Sequence, residues 1–279
     1  MNTLYITKAS GEREAFNIDK FKRSLRRAGA PNDIIEQIIH EVMQLRPYNS
    51  QELHHYAFNR LRELNPPLAA RYNIKQAIMD LGPAGFPFEK FVAEIFKKHG
   101  YTALTGQIVV GKCVDHEVDV VAQKDNELHM VECKFHNQAG LKSDVKIALY
   151  VKARFQDINE SHAQQSSKRF AHAWLATNTQ LTTQAIQYAQ CAGLRILSWS
   201  FPKGNSLPEL IDSLGLHPVT ALTTINKSQK QNLIHSGLIL CEQLLQSQNQ
   251  HQLKLIGLKE FEINQLLQEA KGVCELHSK

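Results

Sequence analysis

Between His116 and His136 the chain reads HEVDVVAQKDNELHMVECKFH. Two runs rich in strand-forming residues flank Lys124-Asp125-Asn126, which reads as the turn of a β-hairpin. Charges interrupt both runs: Glu117 and Asp119 in the first, Glu132 and Lys134 in the second. A charge turned toward a core must be solvated, paired or put to use. Side chains alternate along a strand, so Asp119 shares a face with Asp115, Glu117 and Val121, while Val118 and Val120 point the other way. On the partner strand Glu132 and Lys134 share a face, and Val131 and Cys133 take the opposite one. Pairing through the turn predicts Asp119 beside Glu132 and Lys134, two carboxylates and an ammonium on rigid elements.

Such a cluster suits phosphodiester hydrolysis. Mg²⁺ takes oxygen ligands, often one or two carboxylates, and leaves positions for water and phosphate. A lysine nearby orients or deprotonates the water and offsets negative charge in the transition state. The same spacing also fits a surface hairpin with cross-strand ion pairs, worth about a few tenths of a kcal/mol each. Spacing alone leaves both readings open.

Working outward, FPFEKFVAEIFKKHG ahead of the hairpin is amphipathic, with Phe88, Phe91, Val92, Ile95 and Phe96 on one side. TGQIVVGK reads as a strand. Beyond the hairpin, SDVKIALYVKARFQDI predicts a helix, AHAWLATN a buried strand, TTQAIQYAQCAG a helix and LRILSWSF a final strand. A helix, a meander and then crossovers predict an α/β domain over residues 85–205 with a mixed sheet. Residues 1–84 form an earlier block that ends near LGPAG. It opens with YITKASGEREAF, a hairpin about Ser10-Gly11. IDKFKRSLRRAG, PNDIIEQIIHEVMQL, SQELHHYAFNRLREL (Ser50 as N-cap) and PLAARYNIKQAIMDL follow as helices. Residues 206–279 form a third, all-α block, with KSQKQNLIHSGLILCEQLLQ and QLKLIGLKEFEINQLLQEAKG punctuated by Gly237 and Gly257.

Bulk properties narrow the class. A net charge of +5 is compatible with a polyanionic partner without demanding one. The five cysteines, Cys113, Cys133, Cys191, Cys241 and Cys274, include no CxxC pair and indicate neither a zinc ribbon nor a disulfide framework. Thirteen histidines include the pair His54-His55 but no HExxH, and most read as surface residues. No apolar run approaches the roughly 20 residues that cross a bilayer. MNTLYITKASGERE holds no signal-peptide core, so the expectation is a cytoplasmic protein with no membrane partner.

Taken with FPFEKFVAEIF, the middle block resembles the Mrr-like branch of the PD-(D/E)xK nuclease superfamily, from Phe86 through about Phe201. The resemblance implies a restriction-endonuclease-like core and metal-dependent cleavage of DNA. Asp119, Glu132 and the backbone carbonyl of Cys133 would hold Mg²⁺ or Mn²⁺, Lys134 would activate water, and Glu89 on the leading helix would complete the catalytic set. Glu117 either adds charge there or is solvated. Tyr150 and Lys146, four residues apart on one helix face, either reach the phosphate or serve packing and solvation.

The first block resembles an ATP-cone, a nucleotide-sensing regulatory domain, from Met1 to about Pro83. Lys8, Glu14, Asn17 and Lys20 match positions that contact nucleotide in that family, and the implied effector is ATP or dATP. The family usually has Arg after the first lysine where this chain has Ala9, which bears on phosphate affinity. The third block is similar to helix-hairpin-helix domains, with Gly237, Gly257, Lys254, Lys259 and Lys271 placed for phosphate contacts. A plain helical oligomerisation module fits it equally.

The leading expectation is a Mg²⁺-dependent endodeoxyribonuclease responsive to nucleotide, with a twofold homodimer as the simplest way to cut both strands. A nucleotide-sensing regulator that holds DNA without cutting it is the second reading. A scaffold assembled through its helical ends is the third.

Overall fold

A computed structural model describes residues 5–7, 12–45, 49–138, 140–164 and 169–275. The chain forms two compact units: Met1–Ile74 with Ala221–Ser236 and Cys241–Lys279, and Lys75–Thr220 with Gly237–Leu240. The first stretch carries β1 (Tyr5–Thr7), β2 (Arg13–Ala15), α1 (Ile18–Arg27), α2 (Asn32–Leu45), α3 (Ser50–Leu64) and α4 (Pro66–Tyr72). Next come α5 (Ile74–Met79), α6 (Phe86–Lys98), β3 (Thr102–Val110), β4 (Asp115–Lys124) and β5 (Glu127–Lys134). The middle continues with β6 (Lys142–Ser143), α7 (Val145–Gln164), β7 (Phe170–Thr177), β8 (Gln180–Leu181), α8 (Thr183–Cys191), β9 (Arg195–Leu197) and α9 (Leu207–Leu214). The last helices are α10 (Lys227–His235), α11 (Cys241–Leu244), α12 (Gln250–Leu255) and α13 (Glu260–Glu275). No helix among the described residues is long and apolar enough to cross a membrane.

In the second unit the main sheet runs β3-β4-β5-β7-β9. β3, β4 and β5 pair antiparallel, whereas β5, β7 and β9 pair parallel. A hairpin meander followed by helical crossovers must give this mixed order. Asp125 and Asn126 both have positive φ, 48° and 68°, which is the two-residue hairpin turn that joins Lys124 to Glu127. Phe88 and Phe91 of α6 are fully buried, and Phe96 meets Trp174 of β7 edge to face at 5.3 Å. α7 and α8 pack Ala148, Val151, Ala185 and Ala189 against Ala173, Leu175 and Ile196. Trp174 and Leu175 are adjacent on one strand and face opposite ways, so helices cover both sides of the sheet. Each large side chain buried there contributes about 1.5–3 kcal/mol.

α9 belongs with the sheet. A capping box of Ser206 and Glu209 starts it, Leu207 and Ile211 are buried, and Leu207 N donates to Ser198 O at 2.9 Å. Thr220 Oγ1 donates to Ala77 O at 2.6 Å, and Pro218 bridges Leu240. The rest of 206–279 groups with the N-terminal helices, a partition that differs from the three sequence blocks. Size is the physical reason, because helices of eight, nine, four and six residues (α9 to α12) cannot bury an apolar face alone.

The first unit packs Leu25, Ile35, Ile38, Val42, Leu53, Ala57, Leu61 and Leu68 into one core. Asn49, not Ser50, caps α3, its Oδ1 accepting Glu52 N at 2.7 Å. The helix expected over 67–81 breaks at Asn73, which caps the C-terminus of α4 by donating its N–H to Ala69 O. Gly257 after α12 has φ of +85°, a conformation that glycine adopts without strain. Glu269 of α13 is buried and accepts four hydrogen bonds: Thr223 N at 2.7 Å, Thr223 Oγ1 at 2.7 Å, Thr224 N at 3.0 Å and Thr224 Oγ1 at 2.7 Å. That carboxylate ties a loop to a helix 45 residues away.

Candidate active site

β4 and β5 stay in register from Lys124↔Glu127 to Val120↔Val131, where their pairing ends. Just beyond, Asp119 Oδ2 accepts the N–H of Cys133 at 2.7 Å. A side chain thus stands in for the next rung of the ladder. Val118 and Val121 pack with the same cluster as Met130, Ile158 and Phe170. Val118, Val120 and Ala122 are fully buried while Asp119 and Val121 between them are half-buried, the alternation of a regular strand. On the β3 side, between the pairs Thr105↔Val120 and Gln107↔Val118, stands Gly106 with φ of +62°. The β3-β4 register is the same on both sides of Asp119.

Three acidic groups act on one another at that place. Glu89 sits in the first turn of α6, and burial, then the charges of Asp119 and Glu117, push its carboxyl up to about 7. Burial, then Asp119, also raises Glu132 to about 7, with Arg154 pulling the other way. Asp119 is raised by burial against the opposing pull of the Cys133 N–H and Arg154. Carboxylates that raise one another are short of positive charge, which a divalent cation would supply. The donor set of oxygens suits Mg²⁺ or Mn²⁺. Burial and the same carboxylates hold the Cys133 thiol well above its ordinary value, so the sulfur stays protonated and only the backbone of Cys133 offers a hard ligand.

Lys134 follows on the same strand, half-buried and paired with Thr177 of β7. Among the described residues its ammonium makes no hydrogen bond or ion pair, so it is not locked onto Glu89, Asp119 or Glu132. The chain just after it is clamped. Buried Asn178 accepts His136 N at 2.8 Å and donates Nδ2 to His136 O at 2.9 Å. Asp119 and Asn178 thus pin the two ends of the segment that carries Lys134.

Arg154 of α7 is a residue that the sequence reading missed. Only 7% exposed, it donates Nη1 to Glu132 Oε2 and Nη2 to Glu117 O, and its Nε lies 3.4 Å from His116 Nδ1. His116 Nε2 in turn meets Asp157 Oδ2 at 2.8 Å. That bond and those from Cys113 pull Asp157 down to about 2. The signal was a guanidinium set between Val151, Phe155 and Ile158, on the apolar side of its helix. Tyr150 is exposed, with its ring 5.3 Å from the Arg154 guanidinium, and Lys146 is exposed.

A second group with metal-ligand chemistry is Glu127, His129 and His172, whose donor atoms lie within 4.8 Å of one another. Its lone pairs are engaged. Arg195 Nη2 donates to His172 Nε2 at 2.7 Å, and Trp174 Nε1 donates to His129 Nδ1 at 3.1 Å. Neither donor can accept, so both rings are neutral acceptors, and a cation would also face the Arg195 charge. Burial and Arg195 lower both histidines, which agrees with the neutral state.

Of the expected nucleotide contacts, Lys8 lies outside the described residues. Glu14 stands on β2 opposite Ile6. Asn17 caps α1, accepting Lys20 N at 2.8 Å, and the Lys20 side chain is exposed. Among the C-terminal lysines, Lys254 pairs with Glu260 at 3.3 Å and Lys271 with Glu275 at 3.6 Å, while Lys259 N donates to Glu262 at 2.7 Å.

Residues 84–200 match the restriction endonuclease family (Mrr_cat), and residues 217–274 match the AF1548-like C-terminal family. An uncharacterized protein of Archaeoglobus fulgidus is 37% identical over 182 residues, covering 65% of this chain and 99% of its own length. The chain belongs to the AF1548-like family. The crystal structure of AF1548, a protein of unknown function, superposes with a TM-score of 0.57 at 34% identity, covering 70% of this chain and 100% of that one. In this AF1548-like chain the restriction-endonuclease match spans α6 to β9 and so contains Glu89, Asp119, Glu132, Lys134 and Arg154. Neither family match extends to the N-terminal block.

Proposed function

We propose that this AF1548-like protein is a metal-dependent DNA endonuclease that hydrolyses phosphodiester bonds. The observation that carries the reading is the meeting of Glu89, Asp119 and Glu132 at the end of the β4-β5 ladder, inside the restriction-endonuclease match. Asp119, Glu132 and the Cys133 carbonyl would hold Mg²⁺ or Mn²⁺, and Glu89 would add the third carboxylate. When bound, the cation polarises a phosphoryl oxygen and lowers the pKa of a water. Lys134, which makes no pair among the described residues, donates to that water and orients it, and the water's proton passes to solvent as its oxygen forms a bond to phosphorus. The ester bond to the leaving oxygen breaks, and that oxygen regains a proton from solvent. The ammonium charge also offsets the charge that develops on phosphate. The net charge of +5 favours approach of a polyanion.

Supercoiled plasmid incubated with the full chain and Mg²⁺ or Mn²⁺ tests the reading. The expected result is nicking that chelator stops and that Asp119→Asn, Glu132→Gln or Lys134→Ala each remove. DNA retained but uncut by wild type, or equal cutting by Asp119→Asn, would sink it in favour of a non-cutting regulator. The nucleotide-responsive reading of residues 1–84 rests on sequence resemblance. Adding ATP or dATP to the same assay tests it, and the reading fails if neither nucleotide binds or alters the rate.

A further inference from the structure

We propose that Arg154 stands in for the divalent cation at Glu132: its guanidinium neutralises that carboxylate in the metal-free protein and must release it when Mg²⁺ or Mn²⁺ binds. The inference rests on the metal-dependent reading of the same site. Its basis is the ion pair between Arg154 Nη1 and Glu132 Oε2, with both side chains largely withdrawn from water at 8% and 15% exposure. Glu89, Asp119 and Glu132 lie close enough to act on one another's ionisation, and Arg154 is the cation paired to this cluster among the described residues. Lys134, the neighbouring ammonium, makes no such pair. A doubly charged ion and a guanidinium on one carboxylate repel, and in a half-buried site that repulsion is weakly screened.

The anchorage of Arg154 makes release possible without unfolding. Nη2 bonds Glu117 O, and Nε faces His116 Nδ1, whose other nitrogen is held by Asp157. None of these contacts involves the carboxylate of Glu89, Asp119 or Glu132. Only Nη1 has to leave its acceptor. Tyr150, exposed and 5.3 Å from the guanidinium, flanks it on the solvent side. Arg154 is thus a positioning residue whose charge sets the affinity of the site for its cation.

Direct cation binding by the full chain tests this, with Mg²⁺ followed by calorimetry and Mn²⁺ by the resonance of the free ion. Arg154→Met keeps the length of the side chain and removes the charge. It is expected to tighten both cations by about five- to a hundred-fold, the usual size of a coupling between two ligands of one site. Wild-type or weaker affinity in a variant with a native circular-dichroism spectrum overturns the proposal. If Arg154→Met does not fold, the guanidinium Nε–H resonance in the wild-type protein decides, identified by its absence from Arg154→Lys. It must shift on saturation with Mg²⁺, and an unmoved resonance refutes the exchange. Glu132→Gln separates the two readings. Cation binding lost in Glu132→Gln but unchanged in Arg154→Met keeps the metal site and removes only the competition, whereas no binding by wild type removes both.

Discussion

The carboxylate of Asp119 and the backbone N–H of Cys133 meet at 2.7 Å at the point where β4 and β5 part. One side chain thereby closes a ladder and belongs to an acidic cluster. The two roles separate by mutation. Asp119→Asn keeps an oxygen that accepts the N–H and removes a charge from the cluster, so its stability to urea should equal or exceed that of wild type. Asp119→Ala leaves the N–H unpaired and should cost about 1–3 kcal/mol. Both should lose cleavage.

Acidity near neutrality at Glu89 and Glu132 gives a pH dependence with a definite sign. Their folded pKa values, about 7, lie above the unfolded carboxyl value. The native state therefore holds protons that the unfolded chain has released between about pH 4.3 and 7. Their contribution to stability is greatest below that window and declines as pH rises through 7. The metal-free protein should melt lower at about pH 8 than at pH 6, and Mg²⁺ should offset the loss at the higher pH. Scanning fluorimetry checks this, and Glu132→Gln should show a smaller pH difference.

Removing the clamp on His136 should affect rate more than affinity. Asn178→Ala deletes two hydrogen bonds to the His136 backbone, at 2.8 and 2.9 Å, and frees the segment that follows Lys134. Misplacement of the lysine should lower kcat about ten- to a hundred-fold with little change in KM. Steady-state cleavage of a short duplex checks the split. A variant that raises KM alone would argue that this segment only binds DNA.

Glu269 offers a control far in sequence from the cluster. Glu269→Gln replaces one acceptor oxygen by an NH₂ group, so a Thr N–H and its hydroxyl lose their partner on one side. Each such bond to a charged group contributes about 1.5–3 kcal/mol, and thermal unfolding should report the loss. Cleavage per folded molecule should remain at the wild-type level.

Local patterns made much of this molecule legible. Alternating valines and the Asp125-Asn126 turn mark β4 and β5, and the spacing of Phe88, Phe91, Val92 and Ile95 marks α6. The order of elements implies the mixed sheet, and Asp119, Glu132 and Glu89 stand out as charges in otherwise apolar runs. The bond from the Cys133 N–H to the Asp119 carboxylate is a detail that strand alternation alone does not predict.

What the chain determines by itself is what neighbouring residues can enforce: helix and strand periods, turns and caps, and which faces must be buried. Tertiary structure alone decided that Arg154, 22 residues beyond Glu132, would neutralise it. It likewise brought Asn178, 42 residues from His136, to clamp the strand end. Such meetings depend on how crossovers and packed volumes place one element against another, and a buried charge shows its partner only once that packing exists.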